Sequence, residues 1–96
     1  MKVRCRTNLD GFGSLGWPTQ LPALPHVGDR IQASSKSPKG YFVELEVHSV
    51  SFVPEAVHDI PDPKNFMWIP VIELNIPRIP SLTIPMYYER HFGRQL

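Results

Sequence analysis

Eleven prolines in 96 residues, seven of them at or after Pro54, constrain this chain more than any other feature of its sequence. Each proline removes a backbone donor and fixes φ, so helices of ordinary length fit only in the stretches between them. Those stretches read as strands. Residues 2–7 alternate Val3, Cys5 and Thr7 with Lys2, Arg4 and Arg6, the period of a half-buried strand. A turn through Gly28 and Asp29 feeds a second strand over roughly 30–34. The polar cluster Ser34–Gly40 then leads into the clearest strand of the chain, 41–48, with Tyr41, Val43, Leu45 and Val47 on one face. After Ser49 the apolar residues Val50 and Phe52 take the opposite phase, which predicts a bulge near His48–Ser49. The acidic, proline-interrupted stretch 54–65 reads as a surface loop. Residues 66–76 return to strand character, interrupted by Pro70, which predicts an edge strand or a bulge at its middle. Residues 86–92 predict a short helix with Pro85 near its first turn and Gly93 at its end.

Between the first two strands lies a long loop with glycines at 11, 13 and 16 and prolines at 18, 22 and 25. Loops of this length without regular structure are uncommon in compact domains and are often functional. Its Phe12, Leu15, Trp17, Leu21 and Leu24 point to a lid folded back over an open end of the sheet. With 42% hydrophobic and 20% charged residues there is apolar material for one core, so 1–96 is expected to be a single domain. The expected fold is mainly β: a small bent antiparallel sheet or SH3-like barrel, with a five-stranded OB-like barrel as the alternative, and a short C-terminal helix.

The net charge of +1 hides segregation: residues 1–40 are basic, 41–73 acidic and 74–96 basic. Neighbouring strands can neutralise such segments internally, so the pattern adds little to a nucleic-acid reading. No apolar run approaches the ~20 residues of a membrane helix, and the first residues lack the apolar region of a secretory signal. A cytoplasmic protein without membrane contact is expected. Cys5 is the single cysteine, so no internal disulfide forms; placed mid-strand, it reads as a buried thiol.

Signals for chemistry are weak. His26, His48, His58 and His91 lack the short spacing of structural metal sites, and only His58, Asp59 and Asp62 form a loose polar cluster. A metal-dependent enzyme therefore ranks last, and no catalytic residue, metal ligand or cofactor is assigned. Gly11, Gly13 and Gly16 match the glycine spacing of a dinucleotide fingerprint, but prolines replace the helix that would receive the phosphate.

The run Pro25–Ile31, followed by a turn and the strand residues 42–50, resembles a pattern in small uncharacterised bacterial and phage proteins, where Pro-x-x-Gly-Asp/Glu-x-Ile/Val opens a β-barrel. The resemblance covers about 26 residues. It implies the fold, and it is compatible with a phage or mobile-element accessory or inhibitor protein that has no active site. The leading functional expectation is a non-enzymatic module that binds another protein through Trp17, Met67, Ile69, Val71, Tyr87 and Tyr88. The alternative is a nucleic-acid-binding barrel using Arg4, Arg6, Lys36, Lys39, Arg90 and Arg94. Residues 66–72 are apolar on both faces. With Trp68, Ile72 and Leu74 assigned to the core, Met67, Ile69 and Val71 need another cover, and a homodimer is expected, with the lid loop as the monomeric alternative.

Overall fold

The computed structural model describes residues 1–56 and 66–93. The strands β1 (Arg4–Thr7), β2 (Arg30–Lys36), β3 (Phe42–Ala56) and β4 (Phe66–Asn75) precede a helix, α1 (Ile84–Phe92), and a 3-10 turn, Gly13–Leu15, interrupts the first loop. The strands form one curled, mixed sheet in the order β1-β4-β3-β2, a half-barrel with α1 packed against it. Local chemistry accounts for the elements. Gly40, at φ 88°, closes the β2–β3 turn by donating to the Ser37 carbonyl at 2.8 Å. Helix α1 begins at Thr83, whose hydroxyl accepts from the Met86 amide, and has Pro85 in its first turn. It stops at Gly93, whose amide returns to the Glu89 carbonyl at 2.9 Å.

The bulge lies where the hydrophobic phase changes. Val47 pairs with Leu74 and Ser49 with Glu73, which leaves His48 as the extra residue of β3. Val43, Leu45 and Val47 therefore share the inner face with Val50 and Phe52, and one strand continues for 15 residues instead of ending at 48. Strand β2 likewise runs two residues further than its sequence pattern, to Lys36, while β1 begins at Arg4.

Two sequence expectations are corrected. The sheet is not wholly antiparallel: β1 runs parallel to β4, from Arg4↔Val71 to Thr7↔Leu74. The β2–β3 hairpin separates these two strands in sequence, so no tight turn dictates their relative direction. Nor is β4 an edge strand, since β1 flanks it on one side and β3 on the other. Its pairing with β1 begins at Val71, however, and the β2 pairing with β3 ends at Glu46. Beyond those points, Phe52–Ala56 and Phe66–Pro70 pair only with each other as a two-stranded arm. Pro54 and Pro70 both lie in this arm, where each strand has an open edge and a missing donor disrupts no second ladder.

The first loop closes the half-barrel. Val3 and Leu21 donate to the carbonyls of Thr19 and Met1, both at 2.9 Å, holding the loop to the β1 end of the chain. On the far side, the Ser34 amide and hydroxyl both donate to the Gly16 carbonyl at 2.9 Å, stitching the loop to β2. Phe12 and Leu15 are buried beneath it, Trp17 and Leu21 are half-buried, and Leu24 is exposed. The loop is thus a lid, as its apolar residues imply, though Leu24 takes no part in the core.

Gly16 and Gly13 provide a matched test of this closure. Gly16 has φ +79°, and a Cβ there would lie 2.4 Å from Ser34 Oγ, whereas a Cβ on Gly13 meets nothing within 4 Å. In urea denaturation, Gly16→Ala is expected to cost about 1–3 kcal/mol and Gly13→Ala to cost nothing or stabilise slightly.

Candidate functional site

Most of the residues expected to contact another protein are structural. Ile69, Val71, Tyr87 and Tyr88 are buried, and the half-buried Trp17 donates its indole N–H to the Phe12 carbonyl at 2.8 Å. Only Met67 remains clearly on the surface. Val71 sits between Arg4 on β1 and Ser51 on β3. On that same outer face, Arg6 binds Glu73, and Lys2 reaches Glu55 at 3.2 Å. The expectation treated one face of β4 as uncovered, whereas Ile69 and Val71 on that face are buried and β4 is flanked by β1 and β3 from Val71 onward.

Trp68 is the converse correction. It shares the inner face with Ile72 and Leu74, as the alternation requires, yet 67% of its surface is exposed. Core cover ends near Val50 and Ile72, and the arm continues beyond it. There Phe52, paired with the buried Pro70, and the pair Pro54↔Trp68 extend the apolar inner face, with Phe52 53% exposed. Met67 lies on the opposite face of the arm, beside Glu55. Sequence reasoning missed Phe52 and Trp68 as surface residues because periodicity reports which face a residue shares, not where the cover on that face stops.

The basic residues divide into two groups. Arg4 and Arg6 lie on β1 and engage Glu55 and Glu73, while Lys36 lies on β2 at the other end of the strand order. Arg94, His58, Asp59 and Asp62 fall outside the described residues. Lys39 and Arg90 meet Arg30 around an open depression of about 700 Å³ between the β2–β3 turn and α1. Tyr41 and Phe42 line it and are 58% and 59% exposed. Tyr41 precedes β3, so it leaves the core face that strand alternation assigned to it. Lys36 Nζ lies 4.8 Å from the centre of the Phe42 ring, within cation–π range.

The wall of this depression is tied together. Tyr87 donates its hydroxyl to the Glu44 carbonyl at 2.5 Å, and the Lys39 amide donates to the His91 carbonyl at 3.4 Å. His91 is buried, with Nδ1 3.3 Å from Ser37 Oγ and its ring 4.6 Å from that of Tyr87. Desolvation pushes the His91 pKa below its ordinary value, and the neighbouring Arg90 charge acts in the same direction. Burial also raises the Tyr87 hydroxyl and the half-buried Cys5 thiol, which leaves that thiol a poor nucleophile at neutral pH.

A second depression holds Asp10, His48, Glu73 and Asn75 among its lining residues. No group of three or more His, Cys, Asp or Glu side chains is placed to hold a metal ion among the described residues. Nor is any helix among them long and apolar enough to cross a membrane. Comparison with known proteins finds no matching family model, no similar curated protein and no similar solved structure.

The His91 environment predicts a pH dependence. The folded chain holds a neutral imidazole with a depressed pKa, so as pH falls through about 6.5 the unfolded chain binds a proton that the folded chain resists. Stability is therefore lost toward acid. The stability difference between the parent and His91→Gln, taken from urea titrations at about pH 7.5 and pH 5.5, is expected to move against the parent at the lower value.

Proposed function

We propose that the chain is a small, non-enzymatic protein-binding module whose contact surface is the β3–β4 arm. The observation that carries this is the continuation of the apolar inner face beyond the core, with Phe52 and Trp68 presented to solvent on a paired backbone. Large aromatic side chains on a fixed backbone are typical interface anchors, because they bury much area while losing little conformational freedom. The open edges of the arm offer a second mode, strand addition. Pro54 and Pro70 each remove a donor from those edges, so recognition across the face is favoured over extension of the ladder. The fitting partner presents an apolar pocket to Trp68 and Phe52. A partner of phage or mobile-element hosts accords with the sequence resemblance.

A photo-crosslinking residue in place of Trp68, used in extract of the source cells, is expected to trap a discrete protein whose yield falls at least about fivefold when Phe52→Ser is added. Both side chains are exposed, so the substitutions should change folding stability by less than about 0.5 kcal/mol. A discrete product insensitive to Phe52, or no product above background, overturns the assignment. Light scattering on the purified chain distinguishes the occupants: a mass of 11.0 kDa points to a different protein, and twice that mass to a second copy.

A further inference from the structure

The depression between the β2–β3 turn and α1 lies at the opposite end of β3 from the arm and asks for different chemistry. Arg30, Lys39 and Arg90 converge on it from β2, the turn and the helix. Arg30 faces Glu44 at 3.8 Å, but Lys39 and Arg90 enter no ion pair among the described residues. Gly93 helps to position one of them: a Cβ there would lie 2.7 Å from Lys39 Cε, so the bare glycine lets the lysine stem cross the end of the helix. Arg30, Lys39 and Arg90 outnumber the two carboxylates of the described lining, Glu44 and Glu89, and this excess of positive charge beside an opening favours an anionic ligand. The exposed Tyr41 and Phe42 rings favour a planar group on the same ligand.

We propose that this depression binds a nucleoside monophosphate unit, with its phosphate near Lys39 and Arg90 and its base against Tyr41 or Phe42. Glu44 and Glu89 also line the opening, and their charges disfavour a polyphosphate. The frame is held by the chain's own hydrogen bonds. The turn is closed by Ser37 donating to the Tyr41 carbonyl at 2.9 Å, and it is joined to α1 through the Lys39 amide and the His91–Ser37 contact. Such preorganisation spares a ligand the cost of ordering its site. The same chemistry is available from a free nucleotide and from the repeating unit of a single-stranded nucleic acid.

The test titrates full-length protein with three probes: AMP, inorganic phosphate, and a fluorescein-labelled single-stranded DNA of roughly 12 nucleotides. Backbone NMR shifts report the first two and anisotropy the third, at about 50 and 200 mM salt. Saturable shifts centred on Tyr41, Phe42 and Arg90 are expected with AMP or with the strand. Tyr41→Ala and Arg90→Glu should each weaken binding about tenfold, and Lys2→Ala, on the opposite side of the sheet order, should leave it unchanged. For the strand, Lys39→Ala should reduce the salt slope by about one. Tight AMP binding identifies a free nucleotide as the source. Weak AMP binding beside tight, salt-sensitive binding of the DNA identifies the strand. Absence of saturable binding of both at low salt, equal binding by phosphate and AMP, or insensitivity to Tyr41→Ala and Arg90→Glu in variants that retain the parent's thermal midpoint overturns the proposal. None of these outcomes touches the arm, so the two sites stand or fall separately.

Discussion

The burial of Phe12 is the contact on which the assembly of this molecule depends. Its ring is fully buried and meets four aromatic side chains of α1: Tyr87 stacks on it at 5.5 Å, and Tyr88, His91 and Phe92 approach edge-on at 5.0, 5.9 and 4.8 Å. Such offset and edge-to-face pairs contribute beyond the area they bury. Phe12 belongs to the loop that spans the open side of the half-barrel, and α1 follows the last strand. One side chain thereby joins the loop to α1 within a core cluster that also holds the sheet residues Leu45, Val47 and Ile72. A 96-residue chain with no disulfide depends heavily on such a junction, because it buries a smaller share of its surface on folding than a larger domain does.

The rest of the architecture follows from where this closure stops. The lid and helix cover the inner face over Val43–Val50 and Ile72–Leu74, and the β3–β4 pair runs on without them. The molecule is elongated as a result, 47 × 24 × 23 Å with a radius of gyration of 15.3 Å, against about 12.5 Å for a compact domain of this length. The two surfaces to which binding is assigned flank the closed core. The arm is the uncovered continuation of the inner face, and the basic, aromatic depression lies where α1 meets the β2–β3 turn.

Much of the fold was legible in the sequence because short-range stereochemistry determines it. The phase change between Val47 and Val50 required a bulge, and Pro85 and Gly93 marked the helix ends, although the Thr83 cap that starts the helix two residues before position 86 went unread. The glycine-rich loop with its spaced apolar residues indicated a lid. The direction of β1 was not legible, since it depends on pairing across most of the chain. Pro70 was read as the mark of an edge strand or a bulge. It instead marks the local edge of a strand that gains its second neighbour one residue later, and no periodicity encodes where a partner strand begins. The site was less legible still. Tyr87, Tyr88 and Val71 carry surface-compatible patterns but are buried by Phe12, Arg4 and their neighbours in space. Lys36, Lys39, Tyr41 and Phe42 interleave charge and aromaticity within seven residues, a signal present in the sequence but masked by assigning Tyr41 to the core face of a strand.

The claim that Phe12 fastens α1 to the half-barrel is tested most directly by native-state hydrogen exchange on Phe12→Leu, which keeps an apolar side chain and removes the ring contacts. The amides of Tyr87–Phe92 are expected to lose protection together with those of Val3 and Leu21, while the paired amides of β3 and β4 around Val50 and Ile72 retain most of theirs. Unchanged protection in α1, or a uniform loss across helix and sheet alike, would contradict the account.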